Sequence, residues 1–254
     1  MTPTRIGDAT LYNGDCLEVM AGLPDGCIDL VFADVPHGTT ACKWDSTIPL
    51  QPMWSQLKRL TKKRAAIVLS ATQPFTSALV MSNPSLFKYD WIWKKNRSTN
   101  FPNAKINPLR NHESLLVFGE GPTTYNPQKT TGHSPTHSAR GNSPQPRVYG
   151  PGLGKRDYKG GDTDRYPLSI QDFNCERGFH STQKPITYAD YFIRTYTNLG
   201  DTVLDFTMGS GTIGVSCTDL GRKFIGIEND TEHGYFNVAQ ARILEAYIRV
   251  RHDA

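Results

Sequence analysis

Two short turns hold the side chains best placed to do chemistry. Near the carboxyl end, Asp205-Phe206-Thr207-Met208-Gly209-Ser210-Gly211-Thr212 follows the apolar pair Val203-Leu204. Near the amino end, Asp34-Val35-Pro36-His37-Gly38 follows the run Ile28-Asp29-Leu30-Val31-Phe32-Ala33. In each, a carboxylate sits where a buried strand stops, the edge at which open α/β sheets bind ligands. In the later turn Gly209 and Gly211 remove the Cβ obstacle and permit positive φ, so the backbone can lie close to a ligand. The next strand-like run, Phe224-Ile225-Gly226-Ile227-Glu228, ends in an acid about twenty residues further on, the spacing at which a carboxylate takes both hydroxyls of a ribose. A nucleoside-containing cofactor follows. Gly214 keeps a dinucleotide open, because with Gly209 and Gly211 it completes the three-glycine form that seats a pyrophosphate on a helix. The earlier turn offers a carboxylate, a rigid turn carbonyl at Val35 and the flat ring of His37. That set suits an exocyclic amino group on a flipped base: carboxylate and carbonyl accept its two N–H bonds, and the ring stacks on the base.

Both turns need strands behind them, and the hydrophobic pattern supplies these. Strand over Ile28–Ala33, helix over Met53–Leu60, strand over Ala65–Leu69 and helix over Phe75–Val80 make a βαβ rhythm. Strands are expected over Phe87–Trp93 and Ser114–Phe118, with Asn96–Asn111 between them as a working loop, too polar and Asn/Pro-rich for a core. Gly119–Phe179 is rich in Gly, Pro, Ser and Thr with scattered basic residues, and reads either as a disordered insert or, as its place favours, as a substrate-contacting lobe that orders on binding. His133 and His137 lie in it, but Pro135 argues against a helix that would bring them together, and no metal is expected. A second βαβ unit follows: helix Ile186–Thr197, strand Thr202–Phe206, helix Thr212–Leu220, strand Lys223–Glu228 and a last helix from about Tyr235 to Arg249.

Composition narrows the class. A chain of 254 residues, 37% hydrophobic, can bury a large core without disulfides. The five cysteines form no CxxC pair and leave one over, which fits neither a zinc knuckle nor a disulfide framework and points to a reducing cytoplasm. The first residues carry no apolar core like that of a secretion signal, and no stretch is long enough to span a bilayer, so no membrane role is expected. The net charge of +4 is mild, but its distribution is informative. Lys94, Lys95, Arg97, Lys105 and Arg110 are interleaved with Trp91, Trp93 and Phe101, a mixture suited to bases and phosphates. Arg140, Arg147, Lys155 and Arg156 add positive charge to the loop-rich segment.

With Asn13-Gly14-Asp15-Cys16-Leu17, DVPHG, His180-Ser181-Thr182-Gln183-Lys184-Pro185, DFTMGSGT and FIGIE in that order, the chain resembles the amino-group DNA methyltransferases that use S-adenosylmethionine. Within them it is similar to the β arrangement, in which the catalytic motif precedes the target-recognition region and the cofactor motif comes last. The resemblance implies a doubly wound, mostly parallel, Rossmann-like α/β sheet with an inserted loop-rich recognition region. It implies a catalytic half over 1–95, recognition over 96–179 with a core strand near 113–119, and a cofactor half over 180–254. Asp205, Phe206, Gly209, Ser210 and Gly211 would line the cofactor, with Asp34 and Asn229 beside it. Glu228 would hold the ribose, Asp15 and Cys16 would reach the adenine, and Thr182, Gln183 and Lys184 would close over the methionine end. Asp34, Val35, Pro36 and His37 would be the catalytic turn, with Asp34 favouring adenine N6 over cytosine N4. Asp15 has a plainer use as a helix cap, and Glu228 as a partner for Arg222 or Lys223. Val35 and His37 depart from the family's Asp-Pro-Pro-Tyr. His37 opens the alternatives of weak, pH-dependent turnover or a silent DNA-binding homologue, and RNA or a small molecule is the other substrate class left open. The resemblance also implies double-stranded DNA as the partner, a homodimer, and a bacterial or phage origin.

Overall fold

The computed structural model describes residues 2–38, 46–137, 160–176, 183–229 and 234–252. In chain order they form β1 (Thr4–Ile6), β2 (Ala9–Asn13), α1 (Cys16–Ala21), β3 (Ile28–Ala33), α2 (Leu50–Leu60), β4 (Thr61–Ala71), α3 (Phe75–Ser82), β5 (Phe87–Thr99) and β6 (Arg110–Phe118). Then come β7 (Ile170–Phe173), α4 (Ile186–Tyr196), β8 (Thr202–Asp205), α5 (Thr212–Asp219), β9 (Lys223–Glu228) and α6 (Tyr235–His252). The strands join one sheet in the order β1-β2-β9-β8-β3-β4-β6-β5-β7. Its centre, from β2 to β4, is parallel, while β6 runs antiparallel to both β4 and β5.

The alternation of side chains along each strand builds two cores. Leu30 and Phe32 of β3 face Tyr188 and Phe192 of α4, in a layer that α5 and α6 complete with Ile213 and Ile243. Val31 and Ala33 face the opposite layer, where Met20 of α1, Trp54 and Leu57 of α2 and Leu79 of α3 pack. Helices on both faces explain why the central strands read as nearly continuous apolar runs. The doubly wound, mostly parallel α/β architecture expected from the sequence is the one observed.

Connectivity decides where a ligand can bind. From β3 the chain crosses to β4 on one side, and from β8 it crosses to β9 on the other, while β3 and β8 are themselves neighbours. This reversal leaves a crevice at the carboxyl ends of β3 and β8. The two turns, far apart in sequence, therefore open into one place.

Two expectations are corrected. The segment 96–111 is not simply a loop: β5 continues to Thr99 and β6 begins at Arg110, joined through a 3₁₀ turn at Phe101–Asn103. A ribbon beyond the packed layers needs no apolar face, so its polar composition hid it. Within the loop-rich segment, Ile170–Phe173 pairs parallel with β5, and Phe173 packs edge-on against Tyr188 and Tyr191.

The chain divides into two compact units, Met1–Asn126 with Ser169–Ala254, and Pro127–Leu168. The expected boundary at 95 falls inside β5. In the second unit Thr130 and Arg165 exchange backbone hydrogen bonds of 3.0 and 2.9 Å, and the Lys129 ammonium lies 4.7 Å from the Tyr166 ring centroid. There His133 Nε2 bonds to the Thr130 hydroxyl at 2.6 Å, and no metal-binding group occurs among the described residues. No described helix is long and apolar enough to cross a membrane.

Candidate active site

The crevice is a cleft of about 610 Å³. Its floor is the turn after β8. Asp205 is 3% exposed and accepts a hydrogen bond from Thr207 N at 3.1 Å. Burial pushes its carboxyl well above the usual range; the Thr207 bonds oppose this, and the charges of Asp34 and Glu228 reinforce it. A buried carboxylate of this kind is suited to a cationic ligand group, which would restore its charged form. Gly209 has φ of 51° and donates its N–H to Glu228 Oε2 at 2.7 Å. The end of β9 is thereby fastened to the glycine turn, and Glu228 lines the cleft.

Phe206, Gly209 and Ser210 line the cleft, and Gly211 lies behind them. Gly211 stands at the N-cap of α5 with φ of 79°, and a Cβ there would lie 2.8 Å from Ala239 Cβ on α6. Its missing side chain serves helix packing. Arg242 of α6, which motif spacing does not mark, donates from Nη1 to the Ser210 carbonyl at 2.6 Å and bonds its hydroxyl at 3.1 Å. No local pattern could have found Arg242, because its partner is thirty-two residues away.

β2 brings the amino-terminal residues to the same rim. Asn13 registers with Glu228, and Gly14 N donates to the Glu228 carbonyl at 2.9 Å. Asp15 caps α1, accepting from Leu17 N at 2.8 Å and Glu18 N at 3.0 Å, and it also lines the cleft with Cys16. Burial, with Asp15 adding to it, pushes the Cys16 thiol up to about 11. It is therefore a neutral wall at ordinary pH. Asn229 and Gln183 line the cleft too; Thr182 lies outside the described residues.

The other wall is the turn after β3. Thr207 Oγ1 donates to the Asp34 carbonyl at 3.2 Å and ties the two turns together. Val35 is 3% exposed, so its backbone, not its side chain, is what it can offer a ligand. His37 lines the cleft with its ring stacked on Phe75, the centroids 5.2 Å apart and the planes at 29°. Its Nε2 lies 3.2 Å from the Ser70 carbonyl and its Nδ1 3.2 Å from Thr72 Oγ1. Because a carbonyl can only accept, the proton must be on Nε2. The ring is held in one orientation.

Lys184 reaches Asp34 Oδ2 at 2.9 Å and Glu113 Oε2 at 2.8 Å. Burial disfavours its charge, but the carboxylates of Asp34 and Glu113 outweigh this and hold the ammonium more firmly than usual. Glu113 also pairs with Lys95. Its burial would raise the carboxyl, yet Lys184 and Lys95 hold it down to about 2. Glu113 carries no signal in the sequence, because only the register Trp93↔Glu113 places it on the face shared by Trp93 and Lys95.

The basic residues thus separate. Arg97, Lys105 and Arg110 are exposed on the β5–β6 ribbon, and exposed Lys94 pairs with Asp172 at 2.9 Å. Lys95 leaves that group: its side chain is 17% exposed and is engaged with Glu113. Arg140, Arg147, Lys155 and Arg156 lie outside the described residues.

Comparison with known proteins agrees with this geometry. A family model described as DNA methylase matches residues 28–240. The Type II methyltransferase M.BamHI of Bacillus amyloliquefaciens is 29% identical over 238 residues, 86% of this chain and 54% of its own length. The chain thus spans about half of that relative. The DNA adenine methyltransferase YhdJ of Escherichia coli strain K12 is 26% identical over 256 residues, 91% of this chain and 82% of its own. Among solved structures, the M1.HpyAVI–SAM complex matches with a TM-score of 0.60 at 22% identity, covering 92% of this chain and 99% of that one. The cytosine-N4-specific PvuII DNA methyltransferase matches with 0.64 at 14%, covering 98% and 94%. At such identities the structural likeness speaks for the fold.

Proposed function

Taking as premise that the chain belongs to the DNA methylase family, we propose that it transfers a methyl group from S-adenosylmethionine to the exocyclic N6 of an adenine swung out of double-stranded DNA. The observation that carries this reading is the hydrogen bond from Thr207 Oγ1 to the Asp34 carbonyl, which fixes the cofactor turn against the amine-holding turn in one cleft. The side chains suit the cofactor by their chemistry: buried Asp205 for a cationic ammonium, Glu228 for a ribose diol, and neutral Cys16 beside Asp15 for a purine edge. When bound, S-adenosylmethionine supplies an electrophilic methyl group on a sulfonium.

The chain's own work is positioning. An exocyclic nitrogen is a poor nucleophile because its lone pair is delocalised into the ring, so it must be held out of plane and in line with the methyl group. Asp34 and the Val35 carbonyl accept its two N–H bonds, and the Asp34 charge stabilises the positive charge that develops on nitrogen. His37, fixed by Ser70, Thr72 and Phe75, presents a ring edge or face to the base without having to be ordered at that moment. Exposed Arg97, Lys105 and Arg110 give the ribbon a surface suited to phosphates. Adenine is favoured over cytosine by the acid at position 34, as the resemblance implies, and by the name of the relative YhdJ. A homodimer in a bacterial cytoplasm completes the proposal, and sedimentation of the pure chain tests its stoichiometry.

The deciding experiment is transfer of labelled methyl to unmodified duplex DNA, with the modified base identified after digestion. N6-methyladenine is expected, and Asp34→Ala should reduce the rate by on the order of 10²-fold or more. Label in cytosine, in RNA only, or undiminished in Asp34→Ala would overturn this reading.

A further inference from the structure

The charged groups behind Asp34 form a row of alternating sign: Asp34, Lys184, Glu113 and Lys95. Asp34, Lys184 and Glu113 all line the cleft, the Asp34 side chain being the most exposed at 33% against 11% for Lys184 and 14% for Glu113. Each member is fixed by its neighbours. Lys184 Nζ is 2.9 Å from Asp34 Oδ2 and 2.8 Å from Glu113 Oε2, and Glu113 Oε1 is taken by Lys95. Beneath them lies Trp93, with the Lys95 and Lys184 ammonium groups 4.5 and 5.6 Å from its ring centroid. Trp93 is 2% exposed and its own N–H donates to the Phe173 carbonyl at 2.8 Å, so this support is rigid.

Lys184 has two opposed effects on the reaction. By bonding Oδ2 it orients the Asp34 carboxylate and assigns Oδ1 to the amine. As a cation beside the site where positive charge develops, it also cancels the potential that Asp34 must supply. Glu113 resolves the conflict, since its charge offsets that of Lys184 and its geometry keeps the ammonium in place. With Glu113 present, the four formal charges sum to zero and Asp34 remains the outermost; without it, the group carries an excess cation next to the cleft.

We propose that Glu113 is a positioning residue for methyl transfer, acting through Lys184 to orient Asp34 while preserving the negative potential that the amine requires. This rests on the function proposed above, in which Asp34 holds the amine. It adds to the expectation that Lys184 closes over the cofactor: the ammonium belongs equally to the amine side of the cleft.

The test compares Glu113→Gln, Lys184→Met, the double variant and Glu113→Asp with the unaltered chain. Single-turnover rate, KM for S-adenosylmethionine, DNA affinity and thermal midpoint are measured for each. Glu113→Gln, which is isosteric, should lower the rate at least tenfold while KM for the cofactor and DNA affinity stay within twofold. The double variant should be no slower than Glu113→Gln alone, because removing Lys184 also removes the uncompensated cation. Glu113→Asp, retaining the charge, should recover most of the rate and decides the matter if the glutamine variant loses cooperative unfolding. A purely structural role predicts the opposite, losses that add in the double variant and track the thermal midpoint. Additive losses, a rate unchanged in Glu113→Gln, or an effect confined to cofactor KM would overturn the inference while leaving the proposed function standing. No methyl transfer to DNA by the unaltered chain would overturn both.

Discussion

Replacing Gly214 by alanine should destabilise the protein even though alanine is the better helix former. Gly214 lies within α5, where alanine gains about 1 kcal/mol over glycine. Against this, a Cβ would stand 2.5 Å from Ile243 Cδ1 and 2.7 and 2.9 Å from Phe224 Cε1 and Cδ1. Ile243 is fully buried and Phe224 is 1% exposed, so neither side chain can retreat into solvent. Overpacking of a filled core costs about 1–3 kcal/mol. Two buried neighbours met at once, one of them a flat ring, put the cost in the upper part of that range, for a net loss of about 1–2 kcal/mol. For a chain of this size each kcal/mol moves the thermal midpoint by about 2–4 °C, so a fall of about 2–8 °C is expected. Calorimetry, checked by urea unfolding with an unchanged m-value, reads it. Ile243→Val removes the atom in closest conflict and should therefore cost less in the alanine background than in the parent. A midpoint at or above that of the parent would refute the reasoning, since helix propensity would then outweigh packing. The same geometry gives the third glycine its use: it lets α5 approach β9 and α6.

Three other outcomes follow from the site. Glu113 is held at about 2 in place of the ordinary 4.5, so the stability it contributes is fully present above about pH 4.5 and is lost as pH falls toward 2. The thermal midpoint of the parent should thus drop more steeply across that window than that of Glu113→Gln, and parallel slopes would count against the buried pairing. His37→Phe keeps the stack on Phe75 but leaves the Ser70 carbonyl without its donor, costing about 1–3 kcal/mol, and it should lower the methyl-transfer rate more than cofactor affinity; equal effects on both would place the ring's role elsewhere. Alanine at Arg97, Lys105 and Arg110 together should weaken DNA binding and flatten its dependence on log salt by about 0.9 for each phosphate left without its cation, so an unchanged slope would remove the ribbon from the interface.

The elements of the central sheet were legible in the sequence because burial on both faces leaves little choice of residue. The runs Ile28–Ala33 and Lys223–Glu228 appear as strands with the bounds expected. The polar ribbon over 96–111 and the short β7 were not legible, since backbone pairing at the sheet's far end leaves no periodic mark. Gly211 shows the limit of motif reading, because spacing alone does not say that a Cβ there would meet Ala239.

By itself the sequence determined that an acid would end each of two strands, that a glycine turn would follow the second, and that the turns would come in the order Asp34 then Asp205. Local pattern suffices for these, as each depends on residues adjacent in the chain. Tertiary structure decided that the two turns meet, through the reversal between β3 and β8 and the bond from Thr207 to Asp34. It also decided what the basic residues do, sending Lys95 and Lys184 to Glu113 and leaving Arg97, Lys105 and Arg110 at the surface. A lysine's partner is whichever carboxylate the sheet register brings within about 3 Å. Lys184 and Glu113, seventy-one residues apart in the chain, become neighbours only when β6 is laid against β5 beneath the segment leading into α4.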